Sequence, residues 1–288
     1  MMMRLTTWLK CAALAVLAGC GAPDPGEVSP QLVGTPLEGC CLNAETYPRP
    51  LIEIADPLAP LIGRTVGAIV LRDGYLQHPE AEAAVLERVR PLDLMIASSK
   101  GRLSGQALPG LFSHVVIYLG NEKQLKALGM WDDPTVVPFH EEIRAGNVFI
   151  EADSPGVHLS SAETVLHTDA VVILRPEISK NSRKREVMRD LYGRIGKDFD
   201  FRFDNATTNE IYCAELANIT MPELKMPTRM LYGRRAVVPN DVVALAATGR
   251  GQLDLVAYVR GRKEGWKVAS TEQLLVDMYN PPEQRQGS

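Results

Sequence analysis

Histidine and cysteine are both scarce in this chain, five of each in 288 residues. The histidines are dispersed, and no CxxC or HExxH spacing occurs, so no metal site is expected, nor any other cofactor. The glycines form no phosphate-binding loop. Charge of one sign is lacking too. Lys and Arg total 31 against 35 Asp and Glu, a formal net charge of −4, which leaves no electrostatic footprint for nucleic acid. The one dense basic cluster, Lys180 to Arg185, reads as a solvated helix face. There is no internal repeat. Beyond the first twenty residues no stretch approaches the ~18 continuous apolar residues that a membrane-spanning helix needs.

The first twenty residues read as a processing signal rather than as fold. Arg4 and Lys10 supply a positive start, and Cys11 to Ala18 form an apolar stretch too short to span a bilayer. Leu17-Ala18-Gly19-Cys20 follows, small residues and then a cysteine, which resembles the bacterial lipobox. That resemblance implies lipidation of Cys20, with acyl chains as the membrane anchor. Gly21 in place of aspartate after the cysteine points to an outer membrane facing the periplasm, if the source is Gram-negative. Once Cys11 is removed and Cys20 acylated, Cys40, Cys41 and Cys213 remain. An odd number leaves at least one thiol unpaired within the chain in an oxidising compartment. Cys40 and Cys41 are adjacent in a loop-like stretch, where a strained vicinal disulfide is one option.

The chain divides into a signal peptide (1–19), a Pro- and Gly-rich tether (20–60), an N-terminal extension (61–90), a core (91–260) and a tail (261–288). Residues 67–71 read as a short strand and 80–90 as a helix. Strands are predicted at 92–97, 112–119, 148–152, 170–174 and 253–260. In 112–119, Val115, Ile117 and Leu119 point one way, and His114, Val116 and Tyr118 the other. Helices are predicted at 122–128, 182–195, 210–220 with Thr208 or Asn209 as N-cap, and 237–247.

Cys213 stands near the predicted start of the 210–220 helix, where unpaired N–H groups and the helix dipole favour a thiolate. A lone free cysteine is more often a buried small hydrophobe. His114, early on its strand, is the imidazole placed to act as its general base, although a structural histidine at a strand end reads the same way.

The flanking sequence separates these readings. Ser113-His114-Val115-Val116-Ile117-Tyr118-Leu119-Gly120 resembles the histidine strand of the NlpC-type papain-like amidases. There the cysteine comes first; here it follows about a hundred residues later, the order of the circularly permuted YiiX/YaeF branch. Pro91-Leu92-Asp93-Leu94-Met95, Phe149-Ile150-Glu151-Ala152 with Gly156-Val157, Gly196-Lys197-Asp198-Phe199-Asp200-Phe201, Tyr212-Cys213-Ala214-Glu215-Leu216 and Val238-Pro239-Asn240-Asp241 resemble that group's further motifs in the same order. Leu92, Ala214 and Asp198 depart from it, standing where glycine, serine and proline are usual.

The resemblance implies an α+β papain-like fold, a small antiparallel sheet packed against the helix that carries the nucleophile. It implies a catalytic Cys213 and His114, with Glu151 orienting the imidazole. Glu151 shares a strand face with Phe149, and Asp153, His140 and His158 are the alternatives. Tyr212 is expected beside the oxyanion, and Asp198 and Asp200 as braces of the preceding loop. Three functions remain open: hydrolysis of an amide, such as a cell-wall peptide; acyl transfer or ester cleavage on a lipid; and a non-catalytic wall- or lipid-binding role. The expected partners are a peptide-amide or acyl-lipid substrate and the membrane through Cys20. Oligomeric state is not legible.

Overall fold

In the computed structural model, residues 55–106, 108, 110–206 and 209–279 are described. Cys20, Cys40, Cys41 and Thr208 lie outside them. The alternating run forms β2 (His114–Tyr118), which pairs antiparallel with β1 (Leu94–Ser98) and β3 (Asn147–Asp153). β4 (Gly156–Ser161) extends one side, and β5 (Ala170–Pro176), β8 (Leu253–Arg262) and β9 (Gly265–Ala269) the other. The order is β4-β3-β2-β1-β5-β8-β9, and every pairing is antiparallel. β6 (Thr228–Leu231) and β7 (Arg234–Val237) form a separate hairpin.

The helices are α1 (Ala59–Ala68), α2 (Pro79–Leu86), α3 (Glu122–Leu128), α4 (His140–Arg144), α5 (Ala162–Val165), α6 (Asn181–Gly193), α7 (Cys213–Thr220), α8 (Pro239–Ala247) and α9 (Thr271–Tyr279). α7 packs on β2 and β3, while α8 packs on β1, β5 and β8. Val115, Ile96 and Val172 lie side by side in register and are buried, as parity of adjacent strands requires.

The structure corrects four expectations. The sheet is wider than expected, because the segment beyond residue 261 continues it: β8 turns at Lys263-Glu264 into β9, and α9 follows with Leu274 and Met278 buried. Residues 67–71 are no strand. α1 runs through Gly67, and only an isolated bridge between Val70 and Arg102 remains. A short apolar run does not distinguish helix from strand. β4 and the β6–β7 hairpin were not foreseen. Finally, α7 starts at Cys213, three residues later than expected, with Tyr212 rather than Asn209 as N-cap.

Two interactions hold the frame of the site. Asp93, 1% exposed, accepts from Arg175 Nη2 at 2.6 Å and Nε at 2.9 Å, joining the start of β1 to the end of β5. Arg229 and Asp241, each 1% exposed, form a bidentate pair between β6 and α8. Leu92 explains one departure from the resemblance. Its φ is +77°, the left-handed region in which a Cβ costs roughly 1–2 kcal/mol and glycine costs nothing.

Candidate active site

Cys213 is the first residue of α7, where the N–H groups have no carbonyl one turn earlier to receive them. It is 4% exposed and lines a cleft of about 270 Å³. His114, from the first position of β2, lines the same cleft with its side chain about a quarter exposed. Cys213 and the imidazole line the same cleft, and Cys213 acts on the ring through its charge and hydrogen bonding. One side of the ring is fixed, since Nε2–H donates to the ionised Glu151 Oε2 at 2.7 Å, which leaves Nδ1 as the ring nitrogen not committed to Glu151.

Sheet parity places these groups. Val116 opposes Glu151 across the β2–β3 pair, and His114 is two residues before Val116, so all three face one side. Glu151 in turn opposes His158 on β4, with 3.8 Å between Oε1 and Nε2. The tight β3–β4 turn requires glycine at 156. Its φ is +107°, and a Cβ there would lie 2.3 Å from the Lys197 carbonyl oxygen.

The electrostatics follow from burial and pairing. Burial alone would lower the His114 pKa, but the charge and hydrogen bond of Cys213, then those of Glu151, outweigh it and hold it well above 6.5. Burial would raise the pKa of Glu151, yet the His114 ring, a hydrogen bond from Ser160 and the charge of His158 bring it down to about 2. The carboxylate therefore stays ionised beside the ring.

Of the alternatives to Glu151, His140 is elsewhere. It stacks on Trp131 at 3.7 Å with Nε2 on that residue's carbonyl oxygen at 2.8 Å. His158 and Asp153 lie behind Glu151, not on His114; His158 Nδ1 is 3.0 Å from the Gly156 carbonyl oxygen. Ligand atoms of Glu151, Asp153 and His158 lie within 4.8 Å of one another, a grouping that linear spacing concealed because the hairpin register creates it. Glu151 is already engaged there by His114 and Ser160.

Tyr212 is not at the oxyanion position. Its hydroxyl donates to Asn205 Oδ1 at 2.5 Å and accepts from Val237 N–H at 2.8 Å, so the ring ties the loop before α7 to β7. The side chain is buried and absent from the cleft lining. Asp200 is fully buried and accepts from the N–H groups of Arg202 and Asp204, bracing the loop as expected. Asp198 braces it through the backbone, its carbonyl accepting from Ile211 N–H at 2.8 Å.

Other lining residues were not expected at the site, although Ser113, Phe199 and Phe201 stand in the motifs of the resemblance. Phe199, Phe201 and Phe203 form one wall, in contacts between ring centroids of 4.9 and 6.3 Å. Gly63 of α1 lets that helix lie against them, since a Cβ would meet the Phe201 ring at 2.1 Å. Ser113, Arg102 and His167 contribute polar groups, Arg102 Nη2 lying 3.2 Å from His167 Nδ1.

Glu215 reaches back one turn along α7 and accepts the Tyr212 N–H at 3.3 Å. Burial pushes its carboxyl up to about 7; the Tyr212 hydrogen bond opposes that and the charge of Asp200 adds to it. An acid with a raised folded-state pKa stabilises the fold while protonated and loses that contribution as pH rises through 7. Glu215→Gln retains the acceptor without the charge. Denaturant titration should show wild-type stability falling between pH ~5 and ~8 by about 1–3 kcal/mol more than the variant's.

A cysteine at a helix start, facing an imidazole held by a buried carboxylate across an antiparallel sheet, defines the class of papain-like thiol hydrolases. Residues 89–271 match the family model of permuted papain-like amidases, the YaeF/YiiX or C92 family, and the chain belongs to that family. No curated protein and no solved structure gave a significant match.

Proposed function

We propose that the protein is a lipid-anchored cysteine hydrolase that cleaves an amide through a thioester on Cys213, with a cell-wall peptide as the substrate class. The observation that carries the reading is the single cleft in which Cys213 meets His114 and His114 is bonded to Glu151. His114 holds the thiol's proton, and the sulfur attacks the acyl carbon. The oxygen of the tetrahedral intermediate receives the Cys213 backbone N–H. His114 then protonates the departing amine, the C–N bond breaks, and water deprotonated by His114 releases the acid from sulfur. Glu151 keeps the ring oriented and favours its charged form. The lipobox-like Cys20 would hold this domain at the envelope membrane.

One observation favours the second reading, acyl chemistry on a lipid. α1 contributes Gly63, Val66 and Gly67 to the cleft, and beside them Leu61 and Ile62 are 66% and 44% exposed. Muropeptides and phospholipids incubated in parallel with wild type and Cys213→Ala, read by mass spectrometry, separate the two. Cys213-dependent cleavage of peptide stems supports the amidase reading. Cys213-dependent release or transfer of fatty acid replaces it with the lipid one.

Glu151→Gln should lower kcat/KM by about 10- to 100-fold. Removing the carboxylate charge lowers the His114 pKa, so the loss of activity with rising pH should begin at lower pH than in wild type. A pH–rate profile of both proteins checks this, because a merely structural Glu151 would lower the rate without moving the limb.

A further inference from the structure

On the opposite face of β1 from the cleft lies a second cavity, of about 200 Å³. Ala97 and Ser99 face the cleft, and Ser98 and Lys100 line the second cavity, as strand alternation dictates. Its lining holds five cationic side chains, among them Lys100, Arg260, Arg262 and Lys263, against three carboxylates. Arg260 and Arg262 both approach Asp277, which is fully buried and also accepts from the Tyr258 hydroxyl.

Two polar atoms in this lining are buried with no hydrogen-bond partner, Ser98 Oγ and Arg260 Nε. Ser98 is 1% exposed, and the Arg260 side chain 11%. A buried donor left unpaired is destabilising, and a ligand that accepts from it recovers that loss. The register shows why the two do not reach each other. Ser98 pairs with Ala170, and Ala170 with Arg260, so two strand spacings, about 9.6 Å, separate their Cα atoms with only a methyl group between.

We infer that this cavity is a binding site for a small oxyanion, a phosphate or carboxylate group, seated over Ala170 between Ser98 and Arg260. An oxyanion is an acceptor at every edge. It takes the Ser98 hydroxyl on one side and Arg260 Nε–H on the other, and the excess of cations at the rim draws it in. A neutral oxygen can accept from the same two donors but gains nothing from the excess positive charge of the lining, which repels a cation. The site is separate from the reacting groups, since none of His114, Glu151 and Cys213 lines it.

Calorimetry and thermal unfolding of the chain with inorganic phosphate, and separately with acetate, test this. Saturable binding of either probe, with a matching rise in Tm, is expected, and the probe preferred shows which oxyanion the site takes. Ser98→Ala and Arg262→Gln should each weaken binding by about tenfold or more, the value of one charge-assisted hydrogen bond or ion contact. Ser98→Ala removes an unpaired hydroxyl, so without ligand its Tm should equal or exceed that of wild type. Absence of binding by both probes up to about 10 mM, where even a weak site would register, overturns the inference. So does unchanged affinity in Ser98→Ala, or a fall in its ligand-free Tm, which would show that the hydroxyl has a structural role instead.

Discussion

Cys213→Ala should reduce amide hydrolysis by at least about 10⁴-fold while leaving the fold intact. The residue is 4% exposed at the first position of α7, and alanine is a good helix former that fits the same backbone. The substitution removes one sulfur from a site that already opens on a cleft, so a stability change within about 1 kcal/mol is expected. Activity and stability thus part company at this residue. A buried cysteine kept only for packing would do the reverse, losing stability with little change in rate. Turnover on the substrate identified by mass spectrometry, together with denaturant midpoints, distinguishes the two.

His114→Gln should cost about 10²- to 10⁴-fold in kcat/KM, the usual worth of a positioned general base. Glutamine is preferred to alanine for a physical reason. Glu151 is 5% exposed and carries a charge held by the ring, so truncation would strand a buried carboxylate at a cost of several kcal/mol. A side-chain amide can still donate to Glu151 Oε2 but cannot carry a proton to or from sulfur. Alkylation of Cys213 by iodoacetamide at pH 7 should slow in the same variant. The double variant should be no slower than the worse single one, because two groups acting on one proton are not additive. An additive loss would assign them to separate steps.

Much of the site was legible because it rests on strand parity and short motifs. The alternation of 112–119 placed His114 on a defined face, and the parity of 148–152 allowed Glu151 to share it. The helix after Tyr212 brought the thiol to an N-terminus. What sequence could not give was the direction of groups whose partners are distant along the chain. The Tyr212 phenol is adjacent to the nucleophile but is claimed by Val237 N–H, 25 residues away on a hairpin that composition did not reveal. His158 and Glu151 meet through the register of a strand that was read only as a motif. The aromatic wall of Phe199, Phe201 and Phe203 has no period, and residues 67–71 were misread as a strand because their apolar run, most of it beyond the end of α1, is too short to show one. The positive φ of Leu92 had a sequence trace, the missing glycine, whose meaning only the backbone supplied.

Cys213 and His114 are expected to act as one electrostatically coupled pair, with Glu151 behind it. The most direct measurement is the NMR titration of the His114 ring in wild type and in Cys213→Ala. In wild type the imidazolium should persist well above pH 6.5, because Cys213 is the largest of the influences that raise its pKa. In Cys213→Ala the titration should move to lower pH, where burial opposes only Glu151. The same His114 pKa in both proteins, or a wild-type value at or below 6.5, would contradict the pairing on which the account rests.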